Sequence, residues 1–277
     1  MRDIKEYAGG TPAWCPGCGD FAILDAVKQA LAEMDISPSR AVVVSGIGQA
    51  GKLPHYMRVN TLNTLHGRTL PTATAVTQVN PQLTVFAVGG DGDGYGEGGN
   101  HFLHALRRNP DMTYIVCDNR VFGLTKGQAS PTSDVGTLGG LTPQGTVYPA
   151  LNPLALAIML EAGSVARGFS GAKEHLVNLI KDAVRTPGFS LIDVLQPCVS
   201  FNKVNTWQWY RERVYELEAD YNPTDQQQAL ALARQWDEQI PIGVLYRSGR
   251  ESSIAPENLV SAELRPNLEP LLDRYRV

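Results

Sequence analysis

The stretch LTVFAVGGDGDGYGEGGN, Leu83 to Asn100, decides how the chain is read. LTVFAVGG (Leu83 to Gly90) is a short apolar run of the kind that forms a buried strand. A turn crowded with glycine and acid follows, and NHFLHALRRN (Asn100 to Asn109) has helical periodicity. Glycines where a strand gives way to a helix let backbone N–H groups approach a phosphate, and the helix dipole adds attraction. Two ligands compete for that turn. GYGEGG, Gly94 to Gly99, formally matches GxGxxG, and Asp118 stands near the spacing of a ribose-binding acid, which points to a dinucleotide. Against that, Asp91 lies between Gly90 and Gly92, where its carboxylate repels a bare pyrophosphate. Asn119 follows the next strand, on the same edge. A carboxylate and an amide oxygen at neighbouring strand ends suit Mg²⁺, which binds few protein oxygens and completes its shell with phosphate.

Outward from this unit the pattern repeats. AVVVSGIG (Ala41 to Gly48), TYIVC (Thr113 to Cys117), SVARGF (Ser164 to Phe169) and FSLIDVL (Phe189 to Leu195) read as strands. Helices are expected over Asp20 to Met34, with Asp20 as cap, over about Arg68 to Val79 with Pro71 in the first turn, and over Pro153 to Ala162 and Lys173 to Arg185. The alternation predicts an α/β protein: a doubly wound, mostly parallel sheet with helices on both faces. Right-handed crossovers put the functional loops after Val44, Val88, Cys117 and Leu195. Residues 1–199 read as one α/β domain. Residues 200–277 read as a C-terminal extension packing on the core or on a partner, with a helix over Gln226 to Gln239 and an edge strand over Pro241 to Arg247.

At 277 residues, 43% hydrophobic and 19% charged, the chain can bury a sizeable core. A net charge of -4 offers no basic face, so nucleic acid is not an expected partner. No apolar run approaches the roughly 20 residues of a membrane span; the longest, LALAIML, is short. MRDIKEYAGG lacks the apolar centre of a secretory signal. Four cysteines are too few for a disulfide scaffold. The expectation is a cytoplasmic protein with reduced thiols and no membrane contact.

WCPGCGD, Trp14 to Asp20, carries two of those thiols. A thioredoxin-type dithiol follows a strand, and none is evident before Cys15. Zinc wants four ligands, and no second pair follows. Cys198, at a strand end on the presumed cofactor edge, adds a third thiolate, and thiolates hold iron–sulfur clusters. Cys117 reads as a small apolar strand residue.

Taken together, these stretches resemble the β subunit of 2-oxoacid:ferredoxin oxidoreductases, and 2-oxoglutarate synthases in particular. The matching motifs are WCPGCGD from Trp14, SGIGQAGK from Ser45, LHGR from Leu65, GDGD from Gly90, Asp118–Asn119 with FGLTKGQASPT from Phe122, and LQPC from Leu195. They run in order from residue 11 to about residue 216. The GDG with its later Asn resembles the thiamine diphosphate signature, which implies Mg²⁺ on Asp91, Asn119 and the carbonyl of Val121. The resemblance implies a cofactor site built from Gly46, Ile47, Gly48 and His66, from Gly90, Asp91, Gly92 and Asp93, and from Asn119, Val121, Gly123, Leu124 and Thr125. It implies that Cys15, Cys18 and Cys198 hold one iron–sulfur cluster.

The implied reaction is oxidative decarboxylation. Thiamine diphosphate attacks the keto carbon of a 2-oxoacid, CO₂ leaves, the cluster takes electrons one at a time, CoA takes the acyl group and ferredoxin carries the electrons away. Lys52, His66, Arg68, Leu124 and Lys126 are the implied catalytic set. Lys126 is matched to the distal end of the substrate, where a buried ammonium suits a dicarboxylate such as 2-oxoglutarate; His66 and Arg68 could hold the substrate carboxylate or the cofactor phosphates. Lys52 and Arg68 also read as ordinary surface ion pairs, and His66 as a packing residue. No glutamate for the cofactor's pyrimidine ring is found, and the resemblance places it on a separate α subunit, so this chain is expected to work in a heterodimer and to be inactive alone.

Gln49 stands where many family members carry a fourth cysteine. The fourth iron of a [4Fe–4S] cluster then has a non-cysteine or external ligand: another side chain such as His55, solvent or a partner; or the cluster holds three irons. Two other enzyme readings stay open, a nicotinamide-dependent dehydrogenase and a non-redox thiamine diphosphate carboligase. The second has no use for three placed thiols. A non-catalytic cluster scaffold leaves Asp91 and Asn119 without purpose.

Overall fold

A computed structural model describes residues 1–253. The last residues of the expected C-terminal extension, 254–277, lie outside the described residues.

In chain order, α1 (Asp20–Glu33) leads into β1 (Ala41–Ser45), a short 3₁₀ helix over Ala50–Tyr56, and β2 (Asn60–Asn63). Next come α2 (Thr69–Val79), β3 (Thr84–Gly90), α3 (Gly99–Arg108) and β4 (Met112–Asp118). A small hairpin, β5 (Val121–Phe122) with β6 (Gln128–Ala129), precedes α4 (Pro153–Met159), β7 (Ser164–Phe169), α5 (Lys173–Arg185) and β8 (Phe189–Leu195). The chain continues through α6 (Trp207–Arg211), β9 (Val214–Glu216), α7 (Gln226–Ala233) and β10 (Ile240–Arg247).

Eight strands form one sheet in the order β2-β1-β3-β4-β8-β7-β10-β9. Every pairing is parallel except that of β10 with β7. The central strands β1, β4, β7 and β8 are buried along their whole length, which is why they read as mainly apolar runs, with Arg167 and Asp193 as buried charges in β7 and β8. One core, with Ile23, Val27, Leu53, Phe86, Ile115 and Ile180, covers one face; a second, with Val44, Phe102, Tyr114, Ile158 and Leu191, covers the other. This is the doubly wound α/β architecture expected. Among the described residues no helix is long and apolar enough to cross a membrane.

Four expectations change, the first being that the helix expected over Gln226 to Gln239 stops at Ala233. Asp20 does not cap α1: Gly19 occupies the cap position without a side-chain bond, and Asp20 is buried, accepting from the Cys18 thiol at 3.5 Å. The segment expected as an edge strand is interior, because β9 adds one further strand beyond β10. Helix α4 stops at Met159, short of Ala162, since Glu161 turns left-handed at φ 53°.

Strand β1 stops at Ser45 for a steric reason. A Cβ on Gly46 would stand 1.9 Å from Asp93 Oδ2, so only glycine lets the chain pass. The parallel order leaves the ends of β1, β3, β4 and β8 side by side, with Ser45 opposite Val88, Gly90 opposite Cys117 and Asp118 opposite Leu195.

Candidate active site

The glycine-rich turn after β3 forms one wide helical turn over Gly92–Glu97 before α3 begins at Gly99. Its glycines mostly serve close packing inside the protein. A Cβ on Gly92 would meet the Phe122 ring at 2.3 Å, and one on Gly94 would meet Tyr114 Oη at 1.9 Å. Gly94, the first glycine of the GxGxxG match, is therefore committed to the core. That removes the sequence basis for a dinucleotide at this turn.

Asp91 sits at the start of the turn, 1% exposed, with Oδ2 accepting from Thr132 Oγ1 at 2.6 Å. The same hydroxyl lies 2.8 Å from Asp118 Oδ1, which also accepts from the Arg120 backbone at 3.1 Å. Burial, with the Asp118 carboxylate as the next cause, pushes the Asp91 pKa up to about 7. Two carboxylates enclosed together need a positive charge, and a divalent cation at the strand ends fits that need. Asn119, one strand over, uses Oδ1 to accept from the Val121 N–H at 3.0 Å, which leaves that oxygen a further lone pair.

Asp91 and Asn119 line one pocket together with Ile47 to Ala50, His66, the rest of Gly90 to Asp93, and Val121 to Thr125. The structure thus brings together nearly all of the residues expected around a diphosphate. Gly46 is displaced behind Asp93. Three expected cations do not reach the pocket wall. Lys52 lies on the 3₁₀ helix, Arg68 directs Nη1 to His101 Nε2 at 2.6 Å, and Lys126 is exposed on its turn at φ 76°. Burial of the Lys126 ammonium, the premise for its dicarboxylate preference, does not hold in the chain by itself.

Asp93 has a job that its place in GDGD does not announce. Its buried carboxylate accepts from the backbone of Ile47 at 3.0 Å and Gly67 at 2.9 Å, from Thr69 Oγ1 at 3.4 Å, and from His66 Nδ1 at 3.0 Å. One side chain thereby fixes the loop after β1 and the loop carrying His66, and keeps a proton on His66 Nδ1. Burial raises the Asp93 pKa, and the four donors work against that rise. Sequence reasoning also misses Thr132, which joins Asp91 to Asp118; a lone threonine in a polar loop gives no signal.

A second pocket adjoins the first. Cys15, Cys18 and Cys198 line it together with Trp14, Asp20, Gln196 and Ser200, and it shares Gln49, Asn119 and Gly123 with the cofactor pocket. Donors face two of the sulfurs: Ser200 Oγ stands 3.1 Å from Cys15 Sγ, and Gln196 Nε2 stands 3.2 Å from Cys18 Sγ. Burial and then the Asp20 carboxylate push the Cys18 thiol well up, so in the chain by itself it keeps its proton and donates to Asp20. Among the described residues no three His, Cys, Asp or Glu side chains converge on a single ion. Three cysteines nonetheless line one pocket, and cysteine thiolates are the donors that iron–sulfur clusters use. Cys117 lies fully buried in the core with its thiol pKa raised by burial, as expected of a packing residue. His55 is exposed and does not line the thiol pocket.

Known proteins carry the same pattern. Residues 43–194 match the family described as thiamine pyrophosphate enzyme, C-terminal TPP binding domain, and residues 198–256 match the family of the C-terminal part of the pyruvate ferredoxin oxidoreductase β chain. The chain is 44% identical over 248 residues to a 2-oxoacid:ferredoxin oxidoreductase subunit beta of Sulfolobus sp, covering 85% of this chain and 81% of that one. It is 42% identical over 274 residues to subunit beta of 2-oxoacid:ferredoxin oxidoreductase 1 of Aeropyrum pernix, covering 93% and 86%. A solved 2-oxoglutarate:ferredoxin oxidoreductase from Magnetococcus marinus, with 2-oxoglutarate, coenzyme A and succinyl-CoA bound, superposes with a TM-score of 0.88 at 37% identity, covering 91% of this chain and 87% of its counterpart.

Proposed function

This chain belongs to the β subunits of the 2-oxoacid:ferredoxin oxidoreductases, thiamine diphosphate-dependent enzymes, and on that premise we propose that it catalyses the CoA-dependent oxidative decarboxylation of 2-oxoglutarate together with a separate α subunit. Asp91, Asn119 and the Val121 carbonyl would hold Mg²⁺, which would supply positive charge for the cofactor's diphosphate. An iron–sulfur cluster is held by Cys15, Cys18 and Cys198, and ferredoxin takes its electrons onward.

The observation that carries this reading is the common wall. Gln49, Asn119 and Gly123 border both the carboxylate–amide pocket and the thiol pocket. Bound thiamine diphosphate supplies the electron sink for decarboxylation. The chain's own residues do the rest: Asp91 and Asn119 anchor the metal, Asp93 fixes His66 at the pocket side, and Phe122, packed against Gly92, closes the turn. The preference for 2-oxoglutarate is supported by the Magnetococcus neighbour, which was solved with 2-oxoglutarate bound.

A panel of 2-oxoacids tests the assignment. The αβ complex, given CoA and an oxidised viologen, is expected to turn over 2-oxoglutarate with a higher kcat/KM than pyruvate or 2-oxobutyrate. Equal or lower efficiency on 2-oxoglutarate would refute that substrate choice.

A further inference from the structure

Among the residues lining the thiol pocket are three thiols, Cys15 and Cys18 before α1 and Cys198 after β8, and an amide from a separate segment, Gln49 after β1. Gln49 Oε1 is buried and accepts no hydrogen bond. A buried amide oxygen without a partner has lost its water and gained nothing in exchange, so its place asks for a ligand.

Two other oxygens at this pocket, Asp20 Oδ1 and Gln196 Oε1, are also unpartnered. Both side chains, however, are turned to Cys18. Asp20 accepts from its sulfur through Oδ2, and Gln196 donates to the same sulfur while its Nε2 also reaches the Pro197 carbonyl. They support a sulfur already in place. Gln49 makes no such bond to any of the three sulfurs, and it borders the cofactor pocket as well.

Its main chain is fixed to the cysteine loop. Trp14, the residue before Cys15, donates from Nε1 to the Gln49 carbonyl at 2.9 Å, and the indole is held edge-on by Phe21 and Tyr56. The Lys52 N–H also reaches that carbonyl at 3.2 Å. The Gln49 side chain therefore starts from a point set relative to Cys15, as a ligand requires.

Resting on the cluster reading above, we infer that the Gln49 amide oxygen is the fourth ligand of a [4Fe–4S] cluster whose other three are Cys15, Cys18 and Cys198. One iron then carries a neutral oxygen in place of a thiolate, on the side that faces the thiamine pocket. That iron is the most weakly held. Oxidation releases it first: [4Fe–4S]²⁺ gives [3Fe–4S]⁺, Fe²⁺ and one electron, which ferricyanide accepts.

The test uses the αβ complex purified anaerobically as wild type, Gln49→Ala and Gln49→Cys. Iron and sulfide are assayed, ferricyanide is added, and the three-iron spin resonance signal is followed in time. Wild type is expected to hold four irons and to lose one. Gln49→Ala is expected to lose it about tenfold faster or more, and Gln49→Cys more slowly than wild type. A second readout needs only the wild type to fold: the reduced-cluster signal in H₂¹⁷O is expected to stay sharp in wild type, since no water sits on the fourth iron. Equal rates in wild type and Gln49→Ala, or a wild-type signal that broadens, would overturn the ligand assignment while leaving the cluster in place. A wild-type complex free of iron and sulfide would instead overturn the cluster reading, and this inference with it.

Discussion

Asp93 and Asp91 stand two residues apart in one turn and do opposite work. Asp91 faces the pocket and lacks enough positive charge; Asp93 is saturated by four donors and holds two loops together. Asp93→Ala would leave the Ile47 and Gly67 N–H groups without an acceptor. A loss of about 2–5 kcal/mol in urea unfolding is expected, since each orphaned donor costs about 1–3 kcal/mol. A change below half a kcal/mol would show that the loops hold themselves. From the residues, the meeting of the GDG and the later Asn at one pocket was legible because strand ends constrain them. The separate roles of the two acids were not, because they depend on Gly46 letting Asp93 through.

At the scale of elements, Asn109 shows what patterning leaves out. The helical run was expected to end there, and it does, in the left-handed region at φ 51°. Nothing in the sequence says that its buried side chain joins three elements. Oδ1 accepts from Phe189 N at 2.8 Å and Gly163 N at 3.3 Å, and Nδ2 donates to the Glu251 carbonyl at 2.9 Å. Asn109→Gly keeps the backbone conformation and removes those bonds, so a loss of about 2–4 kcal/mol is expected in urea unfolding. Asn109→Asp, which keeps the acceptor, should lose less; the reverse order would deny the stitching role. The strands β7 and β8 and the helix α5 were readable to the residue because their apolar periodicity is imposed by burial along their length. The three-residue β9 and the wide turn after β3 were not, since their form comes from what they touch.

Over the whole molecule, one long segment lacks cover. Between β6 and α4 the chain exposes Leu138, Leu141, Val147 and Tyr148, each more than 70% exposed, an apolar surface that a stable assembly would cover. The β chain alone, loaded with thiamine diphosphate and Mg²⁺, is accordingly expected to show no 2-oxoglutarate- and CoA-dependent viologen reduction until the α subunit is added. Turnover by the β chain alone would refute the shared active site.

On the proposed function, electrons from substrate in the pocket that Asp91 and Asn119 anchor would cross the Gln49–Asn119–Gly123 wall to iron that Cys15, Cys18 and Cys198 would hold. Low-temperature spin resonance of the anaerobic αβ complex, recorded before and after adding 2-oxoglutarate and CoA, tests it most directly. The account predicts a reduced-cluster signal that appears on substrate addition in wild type and fails to appear in Asp91→Ala, while dithionite still reduces the cluster in both. A complex without iron, or a cluster that substrate leaves unchanged in wild type, would contradict it.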